Sequence, residues 1–153
     1  MTKGSIIAAI FANALLAPSL ALADPGHGAV IGKPGDPAKV TRTIEISGSD
    51  NMRYTPSAIT VKRGETVRLV VRNTGKVNHE LVLGTMKELT EHAELMRKHP
   101  GMEHDEPNMV AVRPGETREI VWQFTRAGTV DFACTIPGHL EAGMAGRVKV
   151  VAR

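Results

Sequence analysis

One stretch of the chain gathers side chains able to do chemistry: Cys134-Thr135-Ile136-Pro137-Gly138-His139-Leu140-Glu141-Ala142-Gly143-Met144. A thiolate, an imidazole and a thioether follow one another at short intervals. Pro137, Gly138 and Gly143 allow tight turns between them, so three side chains of one loop can converge on a point. His79, far upstream, offers a second imidazole. Two imidazoles, one thiolate and a weak axial thioether form the donor set of a blue-copper electron-transfer site. Cuprous copper prefers soft sulfur and few ligands, whereas cupric copper tolerates imidazole nitrogen. A trigonal site with a distant fourth donor suits both states, and little has to move when an electron arrives.

Other chemistries fit these residues less well. A free cysteine is often merely a small buried hydrophobe, but that leaves the nearby histidine and methionine unexplained. Zinc would accept a thiolate and two imidazoles, yet it has no redox chemistry and thioether suits it poorly. A nucleophilic thiol needs a base, an orienting group and an oxyanion donor. His139 could act as the base, but Met144 would then have no task. A binuclear copper centre needs a second cysteine, and Cys134 is the only one. Ala133 and Thr135 flank it, so a His-Cys-His run is absent as well. The chain is therefore not expected to be an enzyme.

These donors need a rigid frame, and the pattern around them is one of short strands. Val40–Ser47 alternates, with Val40, Ile44 and Ile46 on one face. Ala58–Lys62 follows, and Arg63-Gly64-Glu65 turns into Thr66–Asn73, where Val67, Leu69 and Val71 share a face. Glu80–Leu83, Met109–Val112, Arg118–Phe124, Gly128–Cys134 and Arg147–Ala152 complete the set. The expected fold is all-β, a Greek-key β-sandwich with one helical insertion. That insertion spans residues 86–108. Its helix, Met86–Lys98, opens on Thr85 with Glu88 three residues later, the pattern of a capping box, and stops before Pro100-Gly101.

The start of the chain reads as an address. Lys3 precedes an apolar run over Ile6–Leu16, and Ala21-Leu22-Ala23 gives an A-x-A site. Residues 1–23 are thus expected to be a signal peptide, 24–39 a flexible leader, and 40–153 the domain itself. Pro18 and Ser19 interrupt the run too early for a spanning helix, so no membrane span is expected after cleavage. The expected location is the periplasm.

Composition narrows the classes further. Hydrophobic residues make up 42% of 153 and charged ones 23%, as in ordinary globular proteins. Aromatic residues are only 3% and the formal charge is +3 with no concentrated basic patch, so no nucleic-acid partner is expected.

On these residues the sequence resembles the cupredoxins, the plastocyanin- and azurin-like type 1 blue-copper proteins, over nearly all of Val40–Arg153. Met52-Arg53-Tyr54-Thr55-Pro56, Ile59-Thr60-Val61, Gly64-Glu65-Thr66-Val67 and Asn73 look like the family's second and third strands. The resemblance implies one type 1 copper per chain, held by His79, Cys134 and His139 in a plane with Met144 axial. It also implies a monomer that exchanges electrons with a redox protein docking near His139 and Leu140, with Ile136 and Pro137 in the same apolar patch. Glu80 departs from the pattern: many members carry Asn there, which links the two ligand loops by hydrogen bonds.

Two roles fit these residues, electron carrier and periplasmic copper-tolerance protein. The insertion bears on the choice. His92, Met96 and His99 recur on one helical face, and Met102, Glu103, His104 and Asp105 follow. This is either a helix packing Leu89 and Met96 on the sandwich or a second, weaker copper site near His99, Met102 and His104.

Overall fold

Alternation of apolar and polar residues builds both layers. The computed structural model describes residues 32–102 and 106–152, and within them the chain forms two five-stranded sheets. The first runs β1 (Lys33–Pro34), β8 (Thr117–Gln123), β5 (Thr66–Asn73), β2 (Arg42–Ser49), β3 (Arg53–Thr55). The second runs β4 (Ala58–Lys62), β10 (Ala145–Val151), β9 (Gly128–Ala133), β6 (His79–Gly84), β7 (Met109–Val112). Pairing is antiparallel except between β2 and β5 and between β4 and β10. The inward residues of β5 and β8, Val67, Leu69, Val71, Ile120 and Trp122, pack in one core with Leu81, Leu83, Val130, Phe132, Val148 and Val150 of the facing sheet. The all-β sandwich expected from the sequence is the fold observed.

β6 is buried at all six residues, which a sheet with one wet face cannot explain. The helical insertion is the reason. Leu81 and Leu83 enter the sandwich, while Val82 meets Leu89 of α1 (Met86–Lys98), together with Met109 and Ala133. The helix begins where its sequence signature places it. Glu88 N–H donates to Thr85 Oγ1 at 3.3 Å and Thr85 N–H donates to Glu88 Oε2 at 2.7 Å, a closed capping box. It ends at His99, whose N–H reaches the Leu95 carbonyl at 3.0 Å, before Pro100 can continue the turn. Burying the Leu89 side chain here stabilises the docked helix by about 2 kcal/mol.

Some boundaries differ from the sequence reading. The stretch expected as leader up to residue 39 joins the first sheet at Lys33–Pro34, opposite Trp122 and Gln123. Pro34 is tolerated because the strand sits at a sheet edge, where its missing N–H costs nothing. β2 begins at Arg42, two residues after the expected start, and runs to Ser49, two residues beyond the expected end, because β3 pairs with its last residues, Ser47, Gly48 and Ser49. The expected signal peptide lies outside the described residues.

Candidate metal centre

Strand register brings the donors together. β6 opens on His79 and β9 ends one residue before Cys134. Their antiparallel pairing, with Val82 opposite Ala133, places both at the same end of the sheet. The loop from Cys134 then closes on itself. Cys134 N–H donates to the Met144 carbonyl and Met144 N–H to the His139 carbonyl, each at 3.0 Å. Donor atoms of His79, Cys134 and His139 all lie within 4.8 Å of one another. Cys134 Sγ and His139 Nδ1 are 3.2 Å apart, and the two imidazole centroids are 5.2 Å apart. Met144 is fully buried in the same core as Cys134. Its methyl occupies space left by Gly48, where an added Cβ would stand 3.0 Å from Met144 Cε.

One atom in this cluster lacks a protein partner. His79 Nδ1 is buried with no hydrogen bond, whereas its Nε2 faces Asp50 Oδ1 at 3.2 Å. A buried ring nitrogen left without a partner is costly unless something else engages it. With a thiol and a second imidazole alongside, the donors suit a borderline-soft metal such as copper. Asp50 is itself fixed: Lys76 N–H donates to Oδ2 at 2.7 Å and Val77 N–H to Oδ1 at 3.4 Å. Its carboxyl is held below the usual range, chiefly by the Lys76 N–H. The turn that delivers these donors needs Gly75, since a Cβ there would fall 1.8 Å from Asp50 Oδ1.

Burial pushes the Cys134 thiol up to about 12, and the Glu80 carboxylate adds to this. The main-chain N–H groups of Glu80 and Ile136 oppose it by donating toward sulfur. Without a cation the sulfur is therefore held protonated at neutral pH. His139 is shifted down, by burial first and by His79 second, so it offers a neutral nitrogen.

Glu80 makes the link that Asn makes in many cupredoxins. Its Oε1 accepts from Thr135 N–H at 3.0 Å and from the Thr135 hydroxyl, joining the His79 strand to the Cys134 loop. Two further tethers were not legible in the sequence. Arg53 Nη1 donates to the Ala142 carbonyl at 2.7 Å, and Arg97 of α1 meets Glu141 at 3.1 Å. The other oxygen of Glu141 accepts from Gly138 N–H at 3.1 Å, so the insertion is tied to the donor loop.

A cavity of about 580 Å³ lies against this site, lined by His79, Glu80, Met96, Met102, Met109 and Ile136 among others. Of the residues considered for a second copper site, Met102 lines this cavity and His99 caps the helix from an exposed position. His104 lies outside the described residues. Met96 is buried under the helix, as its spacing suggested. Around His139, Pro137 is exposed, whereas Ile136 packs partly on the main core and Leu140 partly on the Val82–Leu89 cluster.

A family model described as copper binding proteins of the plastocyanin/azurin family matches residues 40–151. The chain belongs to that family. As a cupredoxin it is 56% identical over 119 residues, 78% of this chain and 72% of the relative, to the copper-resistant cuproprotein CopI of Rubrivivax gelatinosus. It is 39% identical to the protein of the same description from Pseudomonas aeruginosa, covering 85% of this chain and 87% of that one. The reduced auracyanin of Roseiflexus castenholzii superposes with a TM-score of 0.62 at 28% identity, over 73% of this cupredoxin and 98% of that chain. No described helix of this cupredoxin is long and apolar enough to cross a membrane.

Proposed function

We propose that this cupredoxin is an exported copper-resistance protein that holds one copper through His79, Cys134, His139 and Met144. The observation that carries the reading is the cluster of two imidazoles and a thiol, buried at His79 and Cys134 and half-buried at His139, with one nitrogen of His79 left without a protein partner. The name of the relatives, copper-resistant cuproprotein, supports the role. When bound, the metal supplies a one-electron couple between its cuprous and cupric states. The protein's part is to keep the donors fixed. Asp50 orients His79, Glu80 and Thr135 hold the Cys134 loop, and Arg53 fastens the far side of that loop. The cavity beside His79, with Met96, Met102 and Met109 in its wall, supports a route for incoming copper on the insertion side.

A second reading, one-electron carriage between redox proteins, is favoured by the likeness to auracyanin. In it a redox protein docks at the exposed end of the donor loop, near His139 and Leu140, with the protein acting as a monomer and catalysing nothing itself. Because Leu140 also packs inward, Pro137 is the cleaner probe of this surface. Pro137→Glu should slow electron exchange with such a partner and leave the copper spectrum unchanged.

The first test is the spectrum of the protein after Cu(II) is added, beside Cys134→Ala. An intense thiolate-to-copper band, lost in the variant, is expected. Ordinary cupric signals in both would remove the site. The roles separate in a copper-sensitive host. Resistance conferred by the wild type and abolished by Cys134→Ala supports the resistance role. Equal sensitivity with and without the protein counts against it.

A further inference from the structure

We infer that Glu80 is a positioning residue that biases the copper site toward its oxidised state, by its charge as well as by the link it makes. The inference rests on the reading of this cluster as a copper site.

Glu80 touches the site at three points. Its N–H donates to Cys134 Sγ at 3.4 Å, its carbonyl accepts from the Tyr54 phenol, and its Oε1 accepts from the N–H and hydroxyl of Thr135. It is only 6% exposed, so each contact is sheltered from water. The clasp between the His79 strand and the Cys134 loop asks only for an acceptor. An amide oxygen would satisfy both Thr135 donors as well as a carboxylate does. What the carboxylate adds is negative charge, and among the described residues no lysine or arginine forms an ion pair with it. Arg113 and Arg118 line the same cavity without pairing to it.

The sign of the effect follows from charge alone. Cupric copper carries one more positive charge than cuprous copper, so a nearby fixed anion stabilises it more. In a buried site this attraction is screened less than in water. Glu80 thus lowers the reduction potential relative to a neutral residue holding the same hydrogen bonds.

Two substitutions separate the roles. Glu80→Gln keeps the length and the acceptor but removes the charge, and Glu80→Ala removes both. In redox titrations of the copper-loaded proteins, Glu80→Gln should lower the ratio of oxidised to reduced protein about tenfold at a fixed solution potential. That is a rise of about 59 mV for one electron. Its thiolate-to-copper band should stay close to that of the wild type. Glu80→Ala should show the upward shift with an altered band. In the metal-free protein it should also show faster hydrogen exchange at the Thr135 amide, which Glu80→Gln keeps protected. A wild-type midpoint in Glu80→Gln would overturn the role of charge, and a wild-type band and protected amide in Glu80→Ala would overturn the positioning role. Thr135→Ala gives an independent check, because it removes a donor and leaves the charge less compensated. Its midpoint should fall, and a rise or no change would count against the inference. If the wild type shows no thiolate-to-copper band, it is the copper reading that fails.

Discussion

His79 Nε2 lies 3.2 Å from Asp50 Oδ1, and this contact decides which nitrogen His79 presents to the donor cluster. A carboxylate behind a ligating imidazole fixes the tautomer and ring orientation and makes the other nitrogen a better donor. Asp50→Ala is expected to lower copper affinity about 10- to 100-fold, as losses of such outer partners do. Competition against a chelator of known affinity measures this. An affinity equal to the wild type would show that packing alone orients His79.

The metal-free protein should carry a protonated Cys134 at neutral pH, since its thiol is pushed up to about 12. Copper uptake must then release that proton, and affinity should rise about tenfold per pH unit between pH 7 and 9. Stability has the opposite slope at higher pH. The unfolded chain ionises its cysteine from about pH 9 upward while the folded chain does so only near 12, so the stability present below pH 9 falls across that window. The expected slope is about 1.4 kcal/mol per pH unit. Denaturant titrations of the metal-free protein from pH 8 to 11, beside Cys134→Ala, would reveal it.

Met144 is fully buried and reaches into the space beside Gly48. Met144→Leu conserves volume and should cost less than about 1.5 kcal/mol of stability. Copper should still bind to the remaining three donors, with a higher reduction potential because the weak thioether is gone. An unchanged midpoint would place Met144 outside the coordination sphere.

The insertion is docked by few side chains, and Leu89 is the most buried of them. Leu89→Ala should destabilise the fold by about 3 kcal/mol in denaturant unfolding. The Arg97–Glu141 pair is half-exposed and should contribute little to stability by itself. A loss below about 1 kcal/mol for Leu89→Ala would show that the helix is not docked through this residue.

What the sequence made legible was local. Cys134, His139 and Met144 share one loop, so their spacing alone brings them close. The helix was visible because its capping box is complete within four residues, Thr85 to Glu88. The strands Ala58–Lys62, Thr66–Asn73 and Met109–Val112 occupy the residues that alternation and turns marked. What stayed hidden depends on distant pairing. Asp50 meets His79 only because the β2–β3 turn lies against the Gly75–Val77 turn. Lys33–Pro34 is too short for any periodicity, and its pairing is decided by the edge of β8. Glu80 read as a break with the family pattern, yet its longer side chain reaches Thr135 and supplies the same link.

The parallel seam between β4 and β10 ties the donor loop to the early part of the chain. β10 follows the donor loop directly and must insert between β9 and β4, a partner from the early part of the chain. Pairings of such long sequence separation form late, because the intervening loop must first be closed. Until that strand is seated, the Cys134–Met144 bond that shapes the loop has no fixed partner strand beside it. A chain in which β10 is unpaired therefore lacks the Cys134–Met144 bond that shapes the donor loop.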